Sequence, residues 1–235
     1  MFDSEALRAR LARVREHIAR AAERARRDPS SVRLVAVSKT FPAEYVRAAA
    51  DGGQVDFGEN KVQEALEKMD RTADLPLRWH LVGHLQSNKA RKAGARFDTI
   101  HSIDGADLGR KVDEAAIETN RRVEVLVQLD LAGEPTKHGA REDDLPAIFD
   151  AARAWRACRL SGLMILPPAV DDPDQSRPFF RDLKRVCDRL LARGVDSSML
   201  TELSMGMSHD YAVAVEEGAT LVRVGTSIFG NRRVL

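Results

Sequence analysis

The chain has 235 residues, which is enough to bury one substantial core and is typical of a single α/β barrel. Lysine and arginine total 37 against 36 acidic residues, and the charges are interspersed, so the composition indicates neither a nucleic-acid nor a membrane-surface partner. No apolar run approaches the roughly 18 residues that span a bilayer, and Cys158 and Cys187 fit no metal or disulfide spacing. We therefore expect one cytoplasmic domain with two free thiols.

Apolar periodicity predicts helices and strands in alternation. The segment from about 3 to 27 spaces its apolar residues three or four apart, which is typical of an amphipathic helix. Eight short apolar runs follow, at 34–38, 55–60, 79–83, 98–103, 123–131, 160–166, 199–205 and 220–225. Helix candidates lie between them, near 43–51, 61–70, 87–94, 105–119, 142–154, 176–193 and 209–217. This order predicts a (β/α)8 barrel covered by an extra N-terminal helix.

An open doubly wound sheet is the alternative fold. Such sheets usually carry fewer strands, and those that bind dinucleotides have a glycine fingerprint after the first strand. Residues 37–45, which include the end of the first apolar run and the segment after it, contain no glycine. The barrel is therefore the favoured interpretation.

Chemically useful residues stand where the predicted strands end, which is the active-site face of such barrels. Lys39 follows the first strand, where partial desolvation disfavours the ammonium and a neutral amine can attack an aldehyde. Other residues at the first six strand ends are Glu59, Asn60, Gly83, His84, Gln86, His101, Ser102, Lys137, His138 and Met164. A lysine at the end of a strand is more often a solvent-exposed cap than a nucleophile. A nucleophile is favoured here because Lys39 directly follows an apolar strand.

The last two strand ends predict an anion site. Residues 204–208 read Ser-Met-Gly-Met-Ser, and residues 223–227 read Arg-Val-Gly-Thr-Ser. Small residues let backbone N–H groups and hydroxyls approach phosphate oxygens, although either segment alone is also compatible with an ordinary turn. Together with Lys39 they predict a phosphorylated aldehyde or ketone as the ligand.

Several other polar residues have structural interpretations. We expect His80 and His101 to be core or rim histidines with satisfied hydrogen bonds, and no histidine spacing predicts a metal site. Glu64 and Lys68 form an i, i+4 pair, which we interpret as a modest interaction on a solvated helix face.

Seven motifs, in order and spacing, resemble those of the pyridoxal phosphate homeostasis proteins, the YggS/PROSC group. They are VAVSKT, DFGEN followed by VQE, WHLVGHLQSNK, KHG, SGLM, LSMGMS and VRVGTSIFG, and the resemblance covers residues 32–230. It implies an alanine-racemase-like barrel domain that binds pyridoxal 5′-phosphate (PLP). The implied cofactor residues are Lys39, Asn60, Met164, Ser204, Arg223, Gly225 and Thr226.

The resemblance also implies roles for these residues. Lys39 would carry PLP as a Schiff base, Ser204, Gly225 and Thr226 would hold the phosphate, and Asn60 and Met164 would line the ring pocket. Arg223 would face the pyridine nitrogen, where a guanidinium disfavours protonation and weakens carbanion stabilisation. The implied function is a PLP carrier and buffer without substantial catalysis.

Two other functions stay open from the sequence. A PLP-dependent racemase of low activity would need a second acid/base, and the only tyrosines, Tyr45 and Tyr211, are interpreted as packing residues. A lysine-dependent aldolase acting on phosphosugars shares the phosphate site. For the carrier we expect a monomer whose recipients are apo forms of PLP-dependent enzymes.

Three residues depart from the usual family pattern. Phe41 replaces a common second lysine, Lys61 replaces a tyrosine, and His209 replaces an aspartate. These changes leave the implied cofactor contacts intact. Without a lysine at position 41, however, they argue against a cofactor transfer route through that position. Lys137 matches the family's loop lysine and is a candidate for transient capture of the aldehyde.

Overall fold

The structure is a computed structural model in which residues 2–131 and 138–230 are described. Within them, eight parallel strands pair in chain order and close into a barrel through β8 and β1. The strands are β1 Arg33–Val37, β2 Asp56–Glu59, β3 Arg78–Leu81, β4 Thr99–Ile103, β5 Val123–Leu129, β6 Cys158–Ile165, β7 Glu202–Ser204 and β8 Leu221–Val224. The helices are α1 Ser4–Arg24, α2 Ala43–Asp51, α3 Val62–Arg71, α4 Ala90–Gly94, α5 Ala106–Glu118, α6 Leu145–Ala152, α7 Arg177–Ala192, α8 Tyr211–Glu216 and α9 Thr226–Phe229. The predicted (β/α)8 fold is confirmed.

Helix α1 is the predicted extra cover. Asp3 caps it by accepting a hydrogen bond from the backbone N–H of Ala6 at 2.9 Å, which satisfies one of the donors exposed at a helix start. Its apolar stripe is buried and packs against α2, α8 and α9. The buried residues are Leu7, Leu11, Val14, Ile18, Ala21 and Ala22. These match the periodicity of the sequence.

Side chains alternate between the barrel interior and the layer under the helices, as the two-residue period of a strand requires. An apolar cluster fills part of the interior and comprises Val35, Val37, Val82, Leu126, Met164 and Leu221. The larger core lies between the strands and the surrounding helices and includes Phe57, Phe97, Phe149 and Phe180. Buried polar side chains share the barrel interior with this apolar cluster, and they form part of the candidate functional site.

The predicted boundaries differ from the observed ones mainly near β7 and β8. The strand predicted at 199–205 is confined to Glu202–Ser204, because Ser197–Met199 forms a 3₁₀ turn capped by the side chain of Asp196. The run at 220–225 is followed directly by the short helix α9, which is not among the helices predicted from the sequence. Cys158 and Cys187 are free and buried, and burial raises the pKa of each thiol to about 12.

Candidate functional site

A cavity of about 570 Å³ opens at the carboxyl ends of the strands. This volume lies within the range of small-molecule sites, and the position is the one where barrels of this kind place their ligands. The lining residues are Val37, Lys39, Asn60, Val82, Gly83, His84, Leu166, Met207, Ser208, His209, Arg223, Gly225 and Thr226. The cavity therefore combines an apolar floor with polar groups from several strand ends.

Lys39 reaches the cavity from a tight turn that ends β1. The backbone N–H of Phe41 donates to the carbonyl of Ser38 at 3.0 Å, and Thr40 adopts a φ of +68°. A positive φ is unusual for a β-branched residue and costs free energy. Lys39 is half-buried, as expected for an amine at the mouth of a packed barrel.

A buried ion cluster holds this turn from outside the barrel. Lys68 Nζ donates to the carbonyl of Ser38 at 2.7 Å, to Glu59 Oε1 at 2.6 Å and to Glu64 Oε1 at 2.8 Å. Glu64 Oε1 also accepts from the backbone N–H of Thr40 at 2.6 Å, and Glu59 Oε1 accepts from the hydroxyl of Ser38 at 2.6 Å. The backbone on both sides of Lys39 is thus tied to α3, which stabilises the strained turn.

Glu59 is the least solvated member of this cluster. Its side chain is fully buried, and Oε2 has no hydrogen-bond partner among the described residues. Burial raises the pKa of Glu59, although the ammonium of Lys68 opposes this. Lys68 itself is buried, with 7% of its side chain exposed, so the expected solvated Glu64–Lys68 pair is wrong. Helix α3 turns that lysine towards the barrel.

Asn60 and Gly83 form the wall of the cavity beside Lys39. A Cβ at Gly83 would lie 2.3 Å from the carbonyl oxygen of Asn60, so only glycine permits this approach of the two backbones. Asn60 comes directly after β2 and is half-buried. The loop after β3 therefore seats against the residue that follows β2.

Arg223 lies at the floor of the cavity and is 3% exposed. Its Nη1 donates to Ser204 Oγ at 2.6 Å, and its Nη2 donates to the carbonyl of Ile165 at 2.8 Å. No carboxylate forms an ion pair with it among residues 2–131 and 138–230. Burial lowers its pKa to about 10, which leaves the guanidinium charged at neutral pH.

The loops after β7 and β8 meet on the other side of the cavity. The backbone N–H of Gly225 donates to Ser208 Oγ at 3.0 Å, and Ser227 Oγ donates to the carbonyl of Ser208 at 3.3 Å. Gly206 adopts a φ of +89°, and an added Cβ would lie 2.5 Å from Ala214 Cβ. The glycine therefore lets the Ser-Met-Gly-Met-Ser segment turn tightly and bring Ser208 to the cavity.

Three histidines lie near the outer rim. The rings of His84 and His138 stack with centroids 3.6 Å apart, and His209 Nε2 lies 2.9 Å from the carbonyl oxygen of Asp171. Burial and the charge of His138 lower the pKa of His84, although Asp104 opposes them. The part of the chain that the structure describes holds no group of three or more side chains placed to bind a metal ion.

The comparisons with known proteins identify the family. The sequence profile of the alanine racemase N-terminal domain matches residues 7–233. Pyridoxal phosphate homeostasis proteins of Aquifex aeolicus and Pseudomonas aeruginosa are 40% and 42% identical over 224 and 223 residues. These alignments cover 95% and 94% of this chain and 97% and 94% of the relatives. The chain belongs to the family of pyridoxal phosphate homeostasis proteins.

A solved structure supports the same relationship. PipY of Synechococcus elongatus, solved without PLP and with PLP bound, superposes with TM-scores of 0.85 and 0.84 at 40% identity. Each superposition covers 95% of this chain and 100% of PipY. The resemblance drawn from the seven motifs is confirmed.

The cavity brings together five of the seven residues that the family resemblance implies. Lys39, Asn60, Arg223, Gly225 and Thr226 line it. The other two lie beneath it. Met164 is fully buried in the apolar cluster of the barrel interior, and Ser204 is fully buried against Arg223. Lys137 lies outside the described residues.

The sequence interpretation missed other residues around the site. Ser208, rather than Ser204, is the serine of the 204–208 segment that lines the cavity, and His209 lines it as well. Ser208 belongs to the motif already selected, so the signal was present, but the sequence does not say which of its two serines faces the cavity. The role of Lys68 in holding the Lys39 turn was missed as well, and it becomes visible only in the structure, where Lys68 is on the buried face of α3.

Proposed function

We propose that this protein binds PLP covalently through Lys39 and serves its homeostasis as a carrier and buffer, without substantial catalysis. The observation that carries the proposal is the presence in one cavity of Lys39 and of the buried guanidinium of Arg223, which forms no ion pair with a carboxylate of the described residues. The resemblance to PipY, which was solved with PLP bound, supports the choice of ligand.

The residues of the cavity fit PLP. Lys39 Nζ would condense with the aldehyde, forming a carbon–nitrogen double bond as one water leaves. Arg223 uses two of the five N–H donors of a guanidinium on Ser204 and Ile165, so others are available to a ligand acceptor such as the pyridine nitrogen. Gly225 and Thr226, close to Ser208, suit the phosphate.

The surroundings favour binding over turnover. A guanidinium at the pyridine nitrogen disfavours its protonation, which weakens PLP as an electron sink. Racemisation also needs an acid/base on the second face of the ligand. Neither tyrosine lines the cavity, since Tyr45 packs against Phe2 and Phe41, and the hydroxyl of Tyr211 lies 3.2 Å from His17 Nδ1.

Borohydride reduction tests the covalent attachment. The purified protein loaded with PLP should be yellow, and peptide mapping after reduction should find the adduct on Lys39. Lys39→Ala should abolish the adduct, whereas Lys61→Ala, which removes an exposed lysine beside Asn60, should leave it intact. An undiminished adduct on another lysine in Lys39→Ala would sink the assignment.

Transfer of the bound cofactor tests carriage. Wild type loaded with PLP should activate an apo-enzyme, and Lys39→Ala carried through the same loading and desalting should not. Exchange of the α-hydrogen of alanine or serine in deuterated water tests the racemase alternative. Exchange by the protein above the rate of free PLP would contradict a function without substantial catalysis.

A further inference from the structure

A continuous chain of hydrogen-bonded side chains runs through the barrel interior, from Arg223 to the opposite end. Arg223 Nη1 donates to Ser204 Oγ, which lies 2.8 Å from His101 Nδ1. His101 Nε2 lies 2.9 Å from His80 Nδ1, and His80 Nε2 lies 2.9 Å from Asp56 Oδ1. Asp56 is the first residue of β2, so the chain joins the cavity to the N-terminal end of the barrel.

Every proton in this chain has one consistent position, beginning at Arg223. A guanidinium only donates, so the single proton of the Ser204 hydroxyl must go to its other partner, His101 Nδ1. A neutral His101 then carries its proton on Nε2 and donates to His80 Nδ1. By the same reasoning His80 carries its proton on Nε2 and donates to Asp56.

The charges at the ends support this assignment. Burial alone would raise the pKa of Asp56, but hydrogen bonds from His80 and Arg78 outweigh it, and the pKa is lowered. Asp56 is therefore an ionised acceptor. Burial, together with the nearby positive charges of Arg223 and Arg33, lowers the pKa of His101 well below its usual value, which keeps that ring neutral.

The opposite direction leaves a buried proton without an acceptor. If His80 were protonated on Nδ1, His101 would have to accept at Nε2 and donate from Nδ1 to Ser204. Ser204 Oγ would then face two donors, His101 and Arg223, with no acceptor for its own proton among the described residues. Ser204 is fully buried, so this arrangement carries the full cost of an unpaired hydroxyl.

We propose that Asp56 is a positioning residue for the cavity at the other end of the barrel. Through His80 and His101 it fixes Ser204 as the hydrogen-bond acceptor of Arg223, and so fixes the orientation of the guanidinium. Asp56 does not touch the cavity; it acts through the direction of the intervening protons. Only the consequence for ligand affinity rests on the proposed PLP function.

Asp56→Asn should reverse the chain. Arg78 Nη2 donates to Asp56 Oδ2 at 2.7 Å, so the substituted amide would keep its oxygen towards Arg78 and turn its NH2 group to His80. His80 Nε2 must then accept, and the protons of His80 and His101 move to Nδ1. The Ser204 hydroxyl proton loses its acceptor, which weakens the contact that holds Arg223.

Histidine tautomers in the ligand-free protein test the proposal directly. Protein labelled with ¹⁵N-histidine contains six imidazoles, and His80→Gln and His101→Gln assign the two of interest in long-range ¹H–¹⁵N spectra. In wild type both should carry the proton on Nε2, and in Asp56→Asn on Nδ1. A wild-type spectrum with either ring protonated on Nδ1 overturns the proposal, whether or not any variant folds.

Two further variants separate positioning from a general structural effect. Glu202→Gln removes another carboxylate from the N-terminal end, one bound to Arg33 and Thr220, and should change neither tautomer. Ser204→Ala should also leave both tautomers as in wild type, because Asp56 still fixes His80. A tautomer change in Ser204→Ala but not in Asp56→Asn would show that the direction is set from the cavity, and would overturn the proposal.

PLP affinity gives the functional readout. Asp56→Asn should bind PLP about tenfold more weakly, as expected for the partial loss of one charge-assisted hydrogen bond, while borohydride still traps the adduct on Lys39. Glu202→Gln should bind as wild type does. Unchanged affinity in Asp56→Asn with reversed tautomers refutes the link to Arg223. Absence of any Lys39 adduct in wild type would instead refute the proposed function and leave the tautomer result standing.

Discussion

Lys68→Met is the substitution that most directly tests how the Lys39 turn is held. Lys68 contacts the carbonyl of Ser38 and the carboxylates of Glu59 and Glu64, and 7% of its side chain is exposed. Methionine keeps the length and apolar character of the stem but removes the ammonium. The fully buried carboxylate of Glu59 then loses its counter-charge. Breaking a buried pair in this way costs about 3–5 kcal/mol of unfolding free energy.

Urea unfolding followed by circular dichroism measures this loss, and a second substitution identifies its source. Glu59→Gln in the Lys68→Met background removes the unpaired charge but retains an acceptor for the Ser38 hydroxyl. The double variant should therefore regain at least about 2 kcal/mol relative to Lys68→Met alone. Lys111→Met is a matched control, because it breaks an i, i+4 pair with Asp107 on the surface and should leave stability nearly unchanged.

The pH dependence adds an independent check. Without Lys68, the already raised pKa of Glu59 should rise further, so the folded state takes up a proton more readily than the unfolded chain. The stability deficit of Lys68→Met should then be smaller near pH 5 than near pH 8. A deficit that is insensitive to pH and is not relieved by Glu59→Gln would refute the reasoning, because both results follow from an unpaired carboxylate.

Three further predictions concern the barrel and its cavity. The pKa of His101 is lowered in the folded state, so acidification below the unfolded value near 6.5 destabilises the folded protein. Between pH 7 and pH 5.5, wild type should therefore lose about 1 kcal/mol more unfolding free energy than His101→Gln. Urea unfolding at each pH measures this difference. Gly83→Ala forces a Cβ to within 2.3 Å of Asn60 O and should cost about 2 kcal/mol or more, as well as PLP affinity; wild-type values for both would contradict the close approach. Thr40→Gly relieves a positive φ and should raise the unfolding free energy by about 0.5–1 kcal/mol, as measured by thermal unfolding. A lower unfolding free energy would mean that the Thr40 side chain stabilises the fold by more than the backbone strain costs.

Much of the fold could be predicted because its signals are local. Each strand of a buried parallel sheet is a short apolar run, and the stripe from Leu7 to Ala22 has helical spacing. Boundaries were less predictable near β7, where the short 3₁₀ turn depends on the Asp196 side chain rather than on periodicity. Helix α9 was missed because its four residues are too few to show a helical period.

The sequence predicts where in the barrel the site lies, but not which side chains reach the cavity and which stop beneath it. Strand ends in a barrel share one face, so Lys39 and the Gly225–Thr226 segment were expected to meet, and they do. Whether a side chain reaches the cavity or stops beneath it depends on strand height and tilt. Ser204 is therefore a buried partner of Arg223, whereas Ser208 is the serine of that segment that lines the cavity.

Charged residues on helices posed a different difficulty. Lys68 looked like half of a solvated pair, since i, i+4 spacing to Glu64 is common on exposed helices. It lies close to the buried face formed by Val62, Ala65 and Met69, and the second carboxylate that compensates its burial comes from β2. A pairing between a helix and the strand that precedes it has no periodic signal in the sequence, although the two residues are only nine positions apart.

Strand β2 contributes one residue to each of the two buried polar networks, one of which leads to Arg223 and the other to the turn that carries Lys39. Asp56 points into the barrel, where it starts the chain to Arg223, whereas Glu59 points outward to Lys68 and the turn that carries Lys39. The networks share no side chain, because residues three apart on a strand face opposite sides of the sheet. The turn that carries Lys39 and the guanidinium of Arg223 are therefore held independently of each other. A site held in this way would give up little conformational entropy on binding, which would favour the proposed binding of PLP.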